Sequence, residues 1–255
     1  MGSRFEGKVV IVTGGGSGIG AAAALRFAAE GARVVVAGRT RATLDAVAAR
    51  AGEIDTRVVD VSDEVAVTEF VEEVARTYGR LDVLVNNAGA AGLASAEETT
   101  TEMWRHIVGT NLDSVFFASR AAVKHLRETR GNIVNVSSVA GIGGDYSAVA
   151  YNAAKGGVSN LTRAMALDHG RDGVRVNAVC PSLTVTAMTD AFRATAGVSE
   201  AFAAAIPMGR AAEAEEVGDV IVFLASEDAR FVTGVNLPVD GGLTASDGQP
   251  RLFRS

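Results

Sequence analysis

The sequence is short of the residues that stabilise secreted proteins or anchor proteins in membranes. Its 255 residues include one cysteine, Cys180, so no disulfide can form within the chain, which is typical of a reducing compartment. No apolar run is long enough to span a bilayer, and the run that begins at Lys8 is too short for a secretory signal. We therefore expect a cytoplasmic protein without a membrane partner.

An excess of basic residues is also missing. The chain has 24 Lys and Arg against 30 Asp and Glu, and its formal net charge is −6, so nucleic-acid phosphates would repel it and we expect no nucleic-acid partner. His106, His125 and His169 lie on predicted helices without a companion at metal-ligand spacing, which predicts no metal site. Cys180 precedes a proline at a strand end and is predicted to be a buried small residue.

What the chain does have is a regular alternation of short β-branched runs and longer alanine-rich runs. The short runs are almost continuously apolar, as in parallel strands buried on both faces. They predict strands at residues 8–12, 33–37, 57–59, 82–85, 132–136, 175–179 and 235–239. The longer runs predict helices at 18–30, 41–50, 64–78, 101–127, 150–169 and 214–225. The pattern predicts one α/β domain over residues 1–255, with about seven mainly parallel strands and helices on both faces of a doubly wound sheet.

Residues 186–209 do not fit this alternation of strand and helix patterns. They follow a strand and are rich in alanine, with large apolar residues such as Met188, Phe192 and Phe202. Two interpretations are open: a mobile lid over a substrate pocket, or a helical hairpin that packs on the core.

A glycine-rich loop joins the first predicted strand to the first helix. Residues 13–20 read TGGGSGIG. Glycines let the backbone approach a ligand closely, and a helix N-terminus offers free N–H groups to a pyrophosphate. An ordinary tight turn is the alternative, but the strand before and the helix after are the context that a dinucleotide-binding Rossmann-type fold requires.

The end of the second strand bears on the choice of dinucleotide. An acidic residue here usually holds the ribose 2′-hydroxyl of NAD, whereas an arginine accommodates the 2′-phosphate of NADP. This chain has Gly38, Arg39 and Arg41 and no carboxylate. We expect Arg39 to bind the phosphate and Arg41 to be solvated, although both could be solvated residues of a helix start.

Tyr151 and Lys155 stand four residues apart on a predicted helix and therefore share a face. An ammonium beside a phenol favours the phenolate, which predicts a lowered tyrosine pKa and an acid or base for a carbonyl oxygen. Ser137 and Ser138 close a strand at the sheet edge where ligands bind in doubly wound folds. Each feature is common alone, and their coincidence indicates an active site.

Taken together, these residues make the sequence resemble the short-chain dehydrogenase/reductase family, in its branch of about this length. The resemblance covers nearly the whole chain. It rests on the glycine loop, Asp60-Val61, Asn86-Asn87-Ala88-Gly89, Asn111, Ser138, the Tyr151-Asn-Ala-Ala-Lys155 segment, and Thr233-Gly234 followed by Val239-Asp240-Gly241-Gly242.

The resemblance implies a role for each matching residue. Tyr151 would donate the proton in reduction, Lys155 would hold the nicotinamide ribose, Ser138 would bind the substrate oxygen, and Asn111 would hold a water that links Lys155 to solvent. Asp60 and Val61 would border the adenine, and Asn87 would border the adenosine. The implied cofactor-binding set is Gly14, Ser17, Gly18, Ile19, Gly20, Arg39, Asp60, Val61, Asn87, Gly89, Tyr151, Lys155 and Thr186.

Three positions depart from the family pattern. Ser182 stands where a glycine usually follows the proline, and Thr184 replaces a common aliphatic residue. Ser17 occupies a loop position that is often basic in NADP-preferring members. We therefore expect a moderate preference for NADP(H), with NAD(H) also used.

The resemblance implies an oxidoreductase that transfers a hydride between NADP(H) or NAD(H) and a ketone or secondary alcohol. A non-catalytic dinucleotide sensor is the alternative, and isomerase or lyase chemistry is a third. The expected pocket lining, residues 90–93, 139–144, Ser182 and 186–209, is small or apolar, which suggests a small or apolar carbonyl, an acyl thioester or a sterol-like substrate. Surplus apolar residues on helices 101–127 and 150–169, together with the resemblance, predict a homotetramer or homodimer.

Overall fold

The computed structural model describes residues 3–248, and its centre is a sheet of seven strands. The strand order is β3-β2-β1-β4-β5-β6-β9, and every neighbouring pair is parallel. This confirms the predicted doubly wound α/β fold. The seven strands are β1 Val9–Thr13, β2 Arg33–Gly38, β3 Ile54–Val58, β4 Val83–Asn86, β5 Asn132–Val136, β6 Arg175–Pro181 and β9 Asn236–Val239.

Helices cover both faces of the sheet. They are α1 Gly18–Ala29, α2 Arg41–Ala48, α3 Glu64–Tyr78, α4 Thr101–Val108, α5 Ser114–Thr129, α6 Val149–His169, α7 Asp190–Arg193, α8 Val198–Ala205 and α9 Ala214–Ala225. On one face α1 packs on α9 around Phe27 and Ile221, and on the other α3 packs on α5 around Phe70 and Leu126. The sheet is thus packed between two apolar layers.

Two predicted elements are wrong in detail. The third strand runs from Ile54 to Val58 rather than over 57–59, because an edge strand carries polar residues such as Asp55 and Thr56 that hide its pattern. The predicted helix 101–127 is two helices, α4 and α5, joined by a π-helical turn at Gly109–Asp113. The turn inserts an extra residue into the helical repeat at the position of Asn111.

The strand order creates a binding crevice at the carboxyl ends of the central strands. From β1 the chain builds outward to β3 on one side, and from β4 it builds outward to β9 on the other. At such a reversal the connections leave to opposite faces, and a crevice opens beyond the carboxyl ends of the strands. The glycine loop after β1 and the residues that follow β4, β5 and β6 meet at this crevice.

The irregular segment after β6 begins and ends in a second, two-stranded parallel sheet. It pairs β7 Thr184–Val185 with β8 Ala212–Glu213. Between these strands lie the short helices α7 and α8, whose Phe192 and Phe202 rings meet edge to face with centroids 5.7 Å apart. Ile206, which follows α8, is buried next to Gly241, so the segment is helical and partly anchored to the body of the protein.

In residues 3–248 no helix is long and apolar enough to cross a membrane. Within the same range no group of three or more histidine, cysteine or acidic side chains could hold a metal ion.

Candidate active site

A cleft of about 240 Å³ lies at the crevice. Its walls come from the glycine loop, the ends of β4, β5 and β6, and helix α6. The residues that line it are Gly14, Ser17, Gly18, Ile19, Asn87, Ala88, Gly89, Asn111, Val136, Ser137, Ser138, Tyr151, Lys155, Pro181, Ser182, Thr184, Thr186, Met188 and Thr189. All four predicted catalytic residues are therefore brought together with most of the predicted cofactor-binding residues.

The glycine loop leaves the start of α1 open toward the cleft. Ser17, the N-cap of α1, makes no side-chain capping hydrogen bond, so the first N–H groups of the helix face the cleft without that partner. Gly18 has a φ of +52°, and a Cβ there would lie 2.9 Å from Cγ2 of Thr186. A side chain at Gly18 would thus fill the space between the helix start and the opposite wall.

Asn87 fastens the glycine loop to the end of β4. Its Nδ2 donates to the carbonyl oxygens of Thr13 and Gly14, at 3.0 and 3.1 Å. The Thr13 hydroxyl oxygen accepts from the backbone N–H groups of Asn87 and Ala88, at 3.0 and 3.1 Å. Asn87 therefore shapes the loop as well as lining the cleft. The supporting role of Thr13 is a contribution that the loop motif alone did not reveal.

Ser138 follows β5. It faces Tyr151, which lies in the first turn of α6. Its hydroxyl accepts a 3.1 Å hydrogen bond from the N–H of Ala140, which caps a short 3₁₀ turn. Burial raises the pKa of the Tyr151 phenol, a hydrogen bond with Ser138 lowers it, and the charge of Asp145 raises it again. The net direction is upward, so Tyr151 is protonated at neutral pH.

This outcome corrects the expectation that Lys155 lowers the pKa of Tyr151. The Lys155 ammonium lies 5.7 Å from the centroid of the Tyr151 ring, and its Nζ donates a 2.8 Å hydrogen bond to the carbonyl of Val136. Burial lowers the pKa of Lys155 itself to about 8. Burial is thus the largest effect on the pKa of both groups, and Lys155 is not among the groups that shift the pKa of Tyr151.

Asn111 occupies the π-helical turn between α4 and α5 and is fully buried. Its Nδ2 donates to the carbonyls of Ala90 and Ile107, each at 2.9 Å, and its Oδ1 accepts from the N–H of Ala90 at 3.3 Å. A Cβ on Gly89 would lie 2.8 Å from that Oδ1. The turn therefore holds the amide against the loop after β4, at the inner end of the cleft.

Asn87 lines the cleft, but three other predicted contacts of the adenosine side, Arg39, Asp60 and Val61, lie outside it, beyond the ends of β2 and β3. Arg39 is exposed and makes no side-chain hydrogen bond or ion pair within residues 3–248. Asp60 is exposed and Val61 buried, and hydrogen bonds from Ser62 hold the pKa of Asp60 below its usual value, with a smaller effect of Arg39 in the same direction. Arg41, by contrast, donates a 2.9 Å hydrogen bond to Thr56.

The residues after β6 form the opposite wall. Ser182 lines the cleft, and its carbonyl accepts a 3.1 Å hydrogen bond from the buried Thr184 hydroxyl. The Thr189 hydroxyl donates to the carbonyls of Thr184 and Thr186 and accepts from the Thr186 N–H. The serine in place of glycine is accommodated, and Ser182 and Thr189 lie in the cleft wall as the expected pocket lining predicted.

The three histidines do not line the cleft, whereas Cys180 lies close enough to Lys155 for each group to affect the pKa of the other. His125 contacts Glu72 between two helices, His169 lies near Asp172, and His106 is exposed. Cys180 is fully buried, and burial raises the pKa of its thiol to about 11. It is therefore a small core residue, as predicted, and not a nucleophile.

A doubly wound sheet, a glycine loop at its crevice and a serine, tyrosine and lysine in the same cleft define a dinucleotide-dependent oxidoreductase of alcohol and carbonyl groups. A family model described as enoyl-(acyl carrier protein) reductase matches residues 14–244. The chain belongs to the short-chain dehydrogenase/reductase family, whose members use NAD(H) or NADP(H).

Relatives over the whole length support the same class. The chain is 53% identical over 251 residues to the meso-2,3-butanediol dehydrogenase of Serratia marcescens, covering 98% of this chain and 99% of that protein. It is 40% identical to the 3-oxoacyl-(acyl-carrier-protein) reductase of Thermotoga maritima, covering 94% and 99%. The crystal structure of gox2181 superposes with a TM-score of 0.93 at 32% identity, covering 96% and 98%.

Proposed function

We propose that the enzyme interconverts a ketone and a secondary alcohol, with Tyr151 as the acid and base. The observation that carries this proposal is the placement of Ser138, Tyr151 and Lys155 in the cleft that also contains the open start of α1. A hydride carrier and a proton donor are the two agents that carbonyl reduction needs, and one cleft offers a place for each.

The residues of the cleft fit a nicotinamide dinucleotide. The uncapped start of α1 offers N–H groups to a pyrophosphate, and the absence of side chains at Gly14 and Gly18 leaves the backbone open to it. Lys155 and Thr186 line the same cleft, where the resemblance assigns them to the nicotinamide ribose and carboxamide. When bound, the cofactor supplies or accepts the hydride.

Side chains of the cleft then orient the substrate and transfer the proton. Ser138 donates a hydrogen bond that orients the substrate oxygen, and Tyr151 delivers its proton to that oxygen as the carbonyl is reduced. The raised pKa of Tyr151 keeps this proton in place at neutral pH. Lys155 holds a positive charge beside the developing phenolate, and Asn111 lies at the inner end of the cleft, where a relay toward solvent would begin.

For the dinucleotide, we propose a moderate preference for NADP(H). Arg39 makes no side-chain hydrogen bond or ion pair in residues 3–248, so its guanidinium is available to a 2′-phosphate. Gly38 places no carboxylate beside it. The nearby Asp60 carboxylate attracts Arg39 and moderates the preference, and Ser17 adds no second cation.

For the substrate, we propose a small vicinal diol and its hydroxyketone. The relative that shares 53% of its residues over 98% of this chain is named for a butanediol. A 3-oxoacyl thioester is the second candidate, since the 40% identical relative is named for that substrate. Of the substrates that the expected pocket lining suggested, a small carbonyl is favoured over a sterol-like one, because the serine and threonine side chains of the walls bring polar atoms to the cleft.

We also propose that residues 186–209 act as a lid. Thr186, Met188 and Thr189 line the cleft directly, while Met188 and Phe192 keep exposed apolar faces. A segment with these properties can close over a bound substrate and exclude water.

We further propose a homotetramer or homodimer. Much of the predicted apolar surplus is used within the chain, because Val115, Val158 and Met165 are buried, which corrects part of the expectation. Phe116 and Leu167 remain exposed on α5 and α6, at 44% and 83%, and support association. Light scattering at micromolar concentration tests this proposal, and a clean monomer would contradict it.

The central experiment follows nicotinamide absorbance with the purified full chain. It pairs NADPH and NADH with 3-hydroxy-2-butanone, 2-butanone and a 3-oxobutanoyl thioester, and NADP⁺ and NAD⁺ with 2,3-butanediol. We expect the hydroxyketone and the diol to react fastest. Turnover of the thioester alone would favour the second candidate, and dinucleotide binding without any turnover would favour the sensor.

A further inference from the structure

Ser182 is the first residue after β6, and it lies half-buried in the wall of the cleft. Its main chain is held by two hydrogen bonds: its N–H donates to the carbonyl of Val239 at 3.4 Å, and its carbonyl accepts from the Thr184 hydroxyl at 3.1 Å. The next residue, Leu183, is buried, and its carbonyl accepts from the N–H of Ala212 at 3.0 Å. These bonds fix the backbone at Ser182 without using its side chain.

The Ser182 hydroxyl makes no hydrogen bond with any residue of the range 3–248. The three threonine hydroxyls of the same wall are all engaged. Thr184 donates to the carbonyl of Ser182, and Thr189 donates to the carbonyls of Thr184 and Thr186. The Thr186 hydroxyl lies 3.4 Å from that of Thr189. Ser182 therefore brings to this wall a hydroxyl whose hydrogen bonds a ligand can complete.

Ser182 and Ser138 follow neighbouring strands and leave the sheet side by side. Val136 of β5 pairs with Val179 of β6. Neighbouring strands lie about 4.8 Å apart. Ser138 stands two residues beyond Val136, and Ser182 stands three residues beyond Val179. The strand register thus brings Ser182 next to the serine that faces Tyr151, and both serines line the cleft.

This pairing limits what Ser182 can bind. In the proposed reaction Ser138 and Tyr151 hold the reacting oxygen, so a neighbouring hydroxyl is placed for an oxygen on the next carbon. A serine hydroxyl both donates and accepts, which suits a neutral hydroxyl of the same kind. The cleft has a volume of about 240 Å³ and must also admit the nicotinamide, so its walls bind the atoms closest to the reacting carbon.

We propose that Ser182 is a specificity residue whose hydroxyl hydrogen-bonds the hydroxyl on the carbon next to the reacting carbonyl. This inference rests on the proposed carbonyl reduction and names the substituent that the site selects. It also gives a use to the serine that replaces the usual glycine at this position.

The test compares wild type with Ser182→Ala. The measured quantity is the ratio of kcat/KM for 3-hydroxy-2-butanone to kcat/KM for 2-butanone, because these ketones differ by one hydroxyl. Changes in dinucleotide binding or in proton transfer act on both ketones and cancel in the ratio. Because one hydrogen bond between neutral groups is lost, the ratio should fall about five-fold. A ratio that stays at the wild-type value would overturn the inference.

The matched control is Ser147→Ala. Ser147 is exposed and does not line the cleft, and its hydroxyl makes no hydrogen bond in the part of the chain that the structure describes. The same chemical change at this position should leave the ratio as in wild type.

A second variant, Ser182→Gly, separates hydrogen bonding from size. Ser182 also borders a second cavity, of about 500 Å³, beside Met208 and Val239. The glycine removes the hydroxyl and widens the cleft toward this cavity. The inference expects the ratio to fall as in Ser182→Ala. If Ser182 selected substrates by size, the ratio would rise, because 3-hydroxy-2-butanone is the larger ketone, and this result would contradict the proposal.

The dinucleotide is the other ligand that could complete the hydrogen bonds of the Ser182 hydroxyl. In that case Ser182→Ala would raise KM for NADPH and NADH and leave the ratio of the two ketones unchanged. This outcome would overturn the inference.

A binding measurement keeps the failure of this inference distinct from that of the proposed function. If wild type reduced neither ketone, the proposed function would fail. Ligand-observed NMR of 2,3-butanediol and 2-butanol with the NADP⁺-saturated protein would still report on Ser182. The inference expects tighter binding of the diol to wild type and loss of that preference in Ser182→Ala. Equal binding of the two alcohols to wild type would overturn it.

Discussion

Lys155 Nζ donates a 2.8 Å hydrogen bond to the carbonyl of Val136, the last residue of β5. The bond fixes the ammonium at the carboxyl end of a central strand, where the side chain is 4% exposed. A charge in that position is poorly solvated, and its pKa falls from 10.5 to about 8. The free protein thus holds a functional cation at a cost in stability.

Lys155→Met should therefore stabilise the cofactor-free protein while it removes activity. The pKa of Lys155 is lower in the folded state, so wild type carries the full cost below pH 8 and recovers it as the pH rises from about 8 to 10.5. A depression of this size corresponds to about 3 kcal/mol, and the lost bond to Val136 subtracts about 1 kcal/mol. Urea unfolding at pH 7 and pH 10 measures the difference.

The pH dependence distinguishes this cause from a general packing effect. The advantage of the variant should be largest at pH 7 and shrink toward pH 10. An advantage that is the same at both values, or a variant less stable than wild type at pH 7, would contradict a buried charge at Lys155.

Tyr151→Phe should lower kcat by at least about 100-fold, the scale of a lost general acid. The ring remains, so dinucleotide affinity measured by fluorescence or calorimetry should change little. Ser138→Ala is a useful companion, because it removes the hydrogen bond that lowers the Tyr151 pKa and keeps the proton donor. A Tyr151→Phe enzyme that kept most of its turnover would show that another group donates the proton.

The sequence predicted the sheet and the glycine loop well, because each has a local pattern of apolar runs or glycines, and fixed spacing was enough to group the proposed catalytic residues that line one cleft. The π-helical turn at Asn111 could not be predicted, since it depends on hydrogen bonds to Ala90 and Ile107 rather than on periodicity. The strand at Ile54 was misplaced because its edge position tolerates polar residues.

The environment of the catalytic groups was the part least accessible from sequence. The i, i+4 spacing of Tyr151 and Lys155 correctly placed them on one face, but their pKa values depend on burial by distant elements. The charge of Asp145, which raises the pKa of Tyr151, was not expected either, because Asp145 lies in the loop before α6, six positions before Tyr151.

Arg39→Ala should raise KM for NADPH by about ten-fold or more and leave KM for NADH nearly unchanged, because one charge-assisted contact is lost. Arg41→Ala is the matched control, since that guanidinium already donates to Thr56. Steady-state kinetics with both dinucleotides at two salt concentrations measures the effect, and added salt should weaken the wild-type preference.

The converse change is Gly38→Asp, which should shift the preference toward NADH. A Cβ at Gly38 meets Cδ2 of Leu44 at 3.6 Å, an ordinary contact, so a side chain fits. A wild type that already has the higher kcat/KM with NADH would show that Arg39 is merely solvated.

Gly20→Ala should weaken binding of either dinucleotide at least ten-fold. A Cβ at this position would lie 2.3 Å from Nδ2 of Asn87 and 2.4 Å from the carbonyl oxygen of Gly14, so the loop must shift. Gly52→Ala is the control, because a Cβ there meets nothing within 4 Å. Calorimetric titration compares the dinucleotide affinities of the two variants. Unchanged affinity in Gly20→Ala would mean that the hydrogen bonds from Asn87 to Thr13 and Gly14 do not shape the loop.

The short parallel pair of Thr184–Val185 with Ala212–Glu213 has a consequence for protein engineering. It fixes where the intervening segment leaves and rejoins the body, whatever lies between. Because the entropy of closing a loop grows only slowly with its length, residues between these strands can be exchanged or lengthened at modest cost. The pair thus marks natural graft points, at which a relative's segment could be transplanted to change substrate preference while the proton-transfer groups stay in place.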